Sequence, residues 1–320
     1  SAEMQVVVDS LVIIRNPTQA ILSKQLADSG YHAIQHPGTL DAYHYYDINC
    51  WYYRNGEQFD TALMYADSMK LSLEGLSGVE AEYAHALLNK GVVLKDKHRY
   101  AEALKEFYAA EVYAGSFLDT CSAAEIYLNI GTMLYEQMNY SGALPYLKRA
   151  EEGSLLCPKF HHVKYFVFSQ SSMNIIGLCY ERLGHYDSAR MYYRKGIEFV
   201  RKRPETHPDD AGFAELCEGV LLGNLGNVEL LEGQLEKAEW AFQQAIAINM
   251  KPLYDFPDGV LTEIKLAELF LLQGRIQQAD SMEAILAVHV PMTGKDEARA
   301  RYLLFKKHLH EVKGETLQAY

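Results

Sequence analysis

The sequence predicts an all-α chain, a solenoid of antiparallel helix hairpins about seven repeats long. Three observations carry this. One outline of small and large residues recurs along the chain, each small "ruler" residue stands twelve positions before an alanine, and turn residues separate the two.

Taken in order, Met4 to Ile14 and Thr18 to Asp28 read as a capping helix pair within residues 1–37, broken at Asn16-Pro17. Terminal repeats are often atypical because they cap the stack. Cys50 with Phe59 and Ala62 opens the array proper, residues 38–294. The clearest copy follows, with Asn89-Lys90-Gly91 running on to Tyr100, Ala103, Phe107 and Ala110. Gly131, Tyr140, Ala143 and Leu147 repeat it, as do Gly177, Tyr186, Ala189 and Tyr193, and then Gly226, Leu235, Ala238 and Phe242. Ala267 with Ile276 and Ala279 is a weaker copy. Lys307 with Thr316 and Ala319 is the last, in an incomplete repeat over residues 295–320 that reads as a piece of a longer protein.

Two antiparallel helices joined by a short turn approach closely only where small residues meet. The rulers on the first helices and the alanines on the second fit that crossing. Phe107, Leu147, Tyr193 and Phe242 are expected to fill the space between one hairpin and the next. Turns are expected at Lys97-His98-Arg99, Met138-Asn139, Gly184-His185, Gly233-Gln234 and Gly274-Arg275, glycine ending a helix through a left-handed residue.

On these residues the chain resembles the tetratricopeptide repeat (TPR) family from about Asp41 to Tyr320, most strongly between Leu87 and Ala245. The resemblance implies a right-handed superhelix whose first helices line the concave face. Successive rulers lie 41, 40, 46, 49, 41 and 40 residues apart, longer than the family's usual 34 or so. The largest insertions fall around Cys157 to His162 and Arg201 to Asp210. Long repeats, with Tyr65-Ala66-Asp67-Ser68-Met69 and Gln278-Ala279-Asp280-Ser281-Met282, resemble the sensory TPR regions of Bacteroidetes-type histidine kinases and regulators. In those the array lies outside the membrane, which favours a periplasmic sensor region and leaves the cytoplasm open.

Carried over repeat by repeat, the family's groove positions are His44, Asp47, Trp51 and Arg54, then His85, Leu88, Asn89, Val92 and Lys95. Glu125, Leu128, Asn129, Thr132 and Tyr135 come next, followed by Ser171, Asn174, Leu178 and Glu181, and by Val220, Asn224, Asn227 and Leu230. Asn89, Asn129 and Asn224 recur at one position, where an amide either bonds a peptide backbone or bonds within the stack. Trp, Tyr, Asn and both charge signs suit an extended peptide. The co-chaperone clamp for a C-terminal carboxylate is missing, since Leu88 and Val92, or Leu128 and Thr132, stand where its first pair belongs.

Composition narrows the function further. With 49% hydrophobic and 22% charged residues, the 320-residue chain is globular. A net charge of −12 speaks against nucleic-acid binding by this module. Neither Val6 to Ile14 nor Tyr165 to Tyr180 suits a bilayer span of about 20 residues, so the piece is expected to be soluble. No secretory signal stands at the Ser-Ala-Glu-Met start, which leaves open that one was removed. Cys50, Cys121, Cys157, Cys179 and Cys217 are scattered and odd in number, which predicts neither a disulfide framework nor a thiolate zinc site.

No catalytic residue and no cofactor is expected. Gly223-Asn224-Leu225-Gly226-Asn227 falls inside a helix pattern, where no phosphate loop forms. His161-His162 and the His308/His310 pair do not share a helix face, so no metal is expected there. Asp209-Asp210 reads as an acidic helix start. The expectation is a non-enzymatic module that binds protein or peptide in its groove, the sensory or interaction region of a larger bacterial signalling or transcription-regulating protein. The alternative is a constitutive assembly scaffold with no output domain. The oligomeric state stays open.

Overall fold

A computed structural model describes residues 17–157, 162–252 and 254–315. They form fourteen α-helices and one 3-10 turn, with no strand among the described residues. The chain divides into two compact units, residues 1–172 and 173–320.

Unit 1 holds α1 (Pro17–Ala33), α2 (Thr39–Asn55), α3 (Phe59–Leu73), α4 (Glu80–Asp96), α5 (Tyr100–Ala114), α6 (Thr120–Glu136) and α7 (Tyr140–Leu155). It also takes the first part of α8 (His162–Arg182). The hairpins are α2–α3, α4–α5 and α6–α7, and each first helix also touches the next, α2 to α4 and α4 to α6. Local caps set some starts. The Asp119 side chain accepts from the Ser122 backbone N–H ahead of α6, and Asn139 accepts from Gly142 ahead of α7. The first half of the expected capping pair lies outside the described residues; the second is α1, packed on α2.

Unit 2 continues α8 and adds α9 (Tyr186–Thr206), a 3-10 turn (Pro208–Asp210), α10 (Ala211–Leu231) and α11 (Leu235–Asn249). α12 (Phe256–Leu272), α13 (Ile276–Thr293) and α14 (Asp296–Lys313) complete it. α10–α11 and α12–α13 are hairpins, and α14 packs on both α12 and α13. Ala319, paired with Lys307 in the sequence reading, lies outside the described residues.

The spacing rule survives with a change of partner. Ala62, Ala103, Ala143, Ala189, Ala238 and Ala279 are fully buried, as the crossing requires. Each ruler glycine, however, faces the large residue sixteen positions on. A Cβ on Gly91, Gly131, Gly177 or Gly226 would run into Phe107, Leu147, Tyr193 or Phe242. These side chains therefore lie over the glycine of their own hairpin, a contact the sequence expectation did not include. Phe242 also shares a core with Val260, Ile264 and Ala267 of the next hairpin. In the first hairpin the sizes are exchanged, with Cys50 and Ala66 in one buried cluster.

The hairpin turns are uniform. Glu57, His98, Met138, Gly184, Gly233 and Gly274 all adopt positive φ, between 57° and 76°, seven residues after their rulers. The next N–H bonds back five residues, as Arg99 does to Leu94 and His185 to Tyr180, a Schellman closure.

The cysteines overturn one expectation. Cys121 in the first turn of α6 is bonded to Cys157, just past α7, while Cys50, Cys179 and Cys217 are free and buried. Pairing arises because an antiparallel hairpin returns the end of its second helix to the start of its first, leaving these Cα atoms 5.0 Å apart.

Candidate functional site

In unit 1 the side-by-side first helices bring polar side chains of successive repeats together. Asn89 Nδ2 donates to Asp47 Oδ1 at 2.7 Å, and Lys95 Nζ donates to Asn129 Oδ1 at 3.1 Å. Lys164 Nζ donates to Glu125 Oε2 at 3.1 Å, and Arg54 Nε to Asp96 Oδ2 at 2.6 Å. Burial opposes the charge on Glu125, but Lys164, His85 and Arg54 outweigh it and hold the carboxyl below its usual range. Burial lowers the Lys95 ammonium, against the pull of Asp96.

At one end of this row lies a cleft of about 250 Å³, walled by Tyr43, His44 and Asp47 of α2 and by Glu82, His85 and Leu88 of α4. Phe117, Leu118, Asp119, Ser122 and Ile126 form its third wall, at the start of α6. Tyr43 Oη and His85 Nδ1 are hydrogen-bonded at 2.7 Å, and His85 Nδ1 lies 4.0 Å from Asp47 Oδ1. His44 Nδ1 is buried with no hydrogen-bond partner among the described residues. Desolvation lowers the His44 pKa, against Asp47. The cleft thus offers two imidazoles and three carboxylates around an apolar floor, a surface for polar and aliphatic groups together.

Unit 2 carries its own row. Asn224 Nδ2 donates to Asn174 Oδ1 at 2.9 Å, and Asn227 Nδ2 donates to Glu181 Oε1 at 2.6 Å. Tyr193 Oη donates to the other Glu181 oxygen at 3.1 Å. Lys265 occupies the register of Asn224, two positions before its ruler, yet makes no hydrogen bond or ion pair among the described residues. Burial pulls its pKa down, while Asp258 and Glu181 pull it up. Burial raises the Glu268 carboxyl, opposed by Arg301, His308 and Lys265. Glu268, Leu271 and Leu272 of α12 face His308, Glu311 and Val312 of α14 across a cleft of about 650 Å³.

Of the expected groove residues, His44, Asp47, His85 and Leu88 share the unit 1 cleft. Asn89, Lys95, Glu125 and Asn129 are joined in the adjoining row, and Arg54 turns to Asp96. Trp51 and Tyr135 are half-buried and do not line the cleft; the Tyr135 ring packs on Tyr140. Asn174 and Glu181 belong to the row of unit 2. The recurrent asparagines bond within the stack, which is the second of the two readings left open for them. Sequence reading missed Tyr43, Glu82, Phe117, Asp119 and Lys164, which lie off the carried-over positions. It also missed Lys265, Glu268 and Arg301, which the same offsets applied to the last two copies would have found.

Other candidates resolve differently. His308 lines the unit 2 cleft and His310 bonds Glu315, while His161 lies outside the described residues. Asp210 precedes α10 as expected but also accepts from Arg203 at 2.8 Å. Among the described residues no group of three His, Cys, Asp or Glu is arranged for a metal, and no helix is long and apolar enough to cross a membrane.

Comparison with known proteins places the fold. A tetratricopeptide repeat family model matches residues 171–199. The apo form of the quorum sensor NprR from B. thuringiensis superposes with a TM-score of 0.72 at 13% identity, over 97% of this chain and 81% of that one. NprR in complex with its cognate peptide NprX gives 0.63 at 14% identity, over 99% and 86%. The apo form of RapI gives 0.56 at 17% identity, over 93% and 94%. A sequence search of curated proteins finds no match. The fold is the TPR-type stack of helical hairpins.

Proposed function

We propose that this TPR-type chain is a non-enzymatic module that binds an extended peptide or protein segment on its first-helix face. In this reading it serves as the sensory or interaction region of a larger bacterial signalling or transcription-regulating protein. The observation that carries the proposal is the unit 1 cleft, where His44, Asp47, His85 and Leu88 converge beside a row of cross-linked polar side chains. Polar groups held in place by neighbouring repeats bind a backbone with little further ordering cost. The peptide complex of NprR supports the ligand class, because it uses the same fold. The Cys121–Cys157 bond supports an oxidising compartment and hence the periplasmic placement.

The test is to pan a random peptide library against the chain and measure the affinity of recovered peptides by calorimetry. Asp47→Ala with Asn89→Ala, and separately Trp51→Ala with Asn129→Ala, should weaken binding about tenfold or more. Unchanged affinity in both pairs removes the first-helix face as the binding surface.

A further inference from the structure

The α6 wall of the cleft is tied down at one place. Thr120 Oγ1 donates to the Leu156 carbonyl at 3.3 Å, and the adjacent residues Cys121 and Cys157 are covalently joined. Gly153 lets α7 come close here: a Cβ on it would lie 3.1 Å from the Thr120 carbonyl oxygen. Cys121 stands between Asp119 and Ser122, both cleft residues, and Ser122 N–H and Oγ both donate to the Asp119 carboxylate. The bond therefore staples the open end of the α6–α7 hairpin, opposite its turn at Met138, at the point where that hairpin supplies the cleft wall. Cys121 is buried, whereas Cys157 is partly exposed, so Cys157 is the half of the bond on the solvent side.

We propose that Cys121–Cys157 is a redox-controlled staple: oxidised, it fixes the Phe117–Ile126 wall and the cleft holds its ligand; reduced, the wall loosens and the ligand is released. The ligand half rests on the peptide-binding reading above. The reductant is a dithiol. One thiolate attacks Cys157 Sγ, and the S–S electron pair leaves on Cys121, which takes up a proton. The second thiolate then attacks the reductant's own sulfur in the mixed disulfide, releasing Cys157 as a thiol. Two electrons and two protons pass to the protein, and the dithiol ends as its cyclic disulfide.

Hydrogen exchange on the full chain, before and after treatment with dithiothreitol, tests the staple without any ligand. Alkylation and mass measurement establish which cysteines are free. Amides 117–126 should exchange about tenfold faster on reduction while those of α10 stay unchanged, the mark of local opening. Equal rates at 117–126 with both thiols alkylated overturn the staple. A library peptide that protects the same amides should bind about fivefold more weakly to the reduced protein. Cys157→Ser should match the reduced protein and ignore dithiothreitol. A mapped peptide bound equally tightly in both states overturns the control of binding. Recovery of no peptide counts against the proposed function and leaves the exchange result to decide the staple.

Discussion

The ring of Phe107 lies where the side chain of residue 91 would be: a Cβ on Gly91 would sit 2.4 Å from Phe107 Cε1. Ordinarily alanine in place of a mid-helix glycine gains up to about 1 kcal/mol from helix propensity. Here the added carbon meets a fully buried aromatic ring. Gly91→Ala should therefore destabilise the chain by about 2 kcal/mol, the typical cost of overpacking. Urea melts of Gly91→Ala, Phe107→Leu and the double variant form the test. The double variant should recover part of the loss, since the two sites couple. A Gly91→Ala protein more stable than wild type would show that the ring does not depend on the notch.

The turn positions yield a prediction of opposite sign. Met138 holds φ at 60° where the matching residue of the next repeat is Gly184, with φ at 76°. An L-residue in that region costs about 1 kcal/mol, which glycine avoids. The Met138 side chain is largely exposed and contributes little packing. Met138→Gly should raise stability by about 1 kcal/mol in thermal melts, retaining the Asn139-to-Leu134 closure. A fall in melting temperature would refute it.

These two cases show how far the sequence could be read. The twelve-residue interval between ruler and alanine locates both helices of each hairpin because helical geometry makes register repeat. It does not say which residue meets the glycine. Sixteen positions on, Phe107, Leu147, Tyr193 and Phe242 were already visible as large residues, but only the hairpin's tilt places them over the notch. The groove was legible where copies were strong and lost where the ruler became Ala267 or Lys307, so Lys265 and Arg301 were passed over. The Cys121–Cys157 bond had no short-range signal, because its partners are 36 residues apart and meet only once a hairpin closes. The cross-repeat pairs, such as Asn89 with Asp47, were invisible for the same reason.

Lys265 gives a third prediction. A desolvated cation without a bonded partner is a stability cost. Methionine keeps the length of the apolar stem and removes the charge. Lys265→Met should be more stable than wild type by about 1 kcal/mol at pH 7, the scale on which isosteric apolar replacements of buried charges act. The wild-type pKa is lowered on folding, so its own stability rises as pH climbs towards the unfolded value. The gap between the two proteins should accordingly narrow near pH 10. A gap that widens with pH would mean Lys265 is paired in solution.

Asp258 carries the last prediction. Its side chain sits in the first turn of α12, accepts from Asn249 Nδ2 at 2.8 Å, and has Asp255 close by. Burial, reinforced by the Asp255 charge, pushes its pKa up to about 6. A carboxyl whose folded pKa exceeds its unfolded value binds its proton more tightly in the folded state. Stability from this group is thus greatest below pH ~4 and is lost as pH rises through the folded value. Asp258→Asn stays neutral throughout and keeps an oxygen to accept from Asn249. At pH 7.5 the variant should be about 1–2 kcal/mol more stable than wild type, with the advantage shrinking through pH 6 and nearly gone at pH 4. Chemical denaturation at the three pH values measures this directly. An advantage independent of pH would show that the Asp258 carboxyl titrates normally.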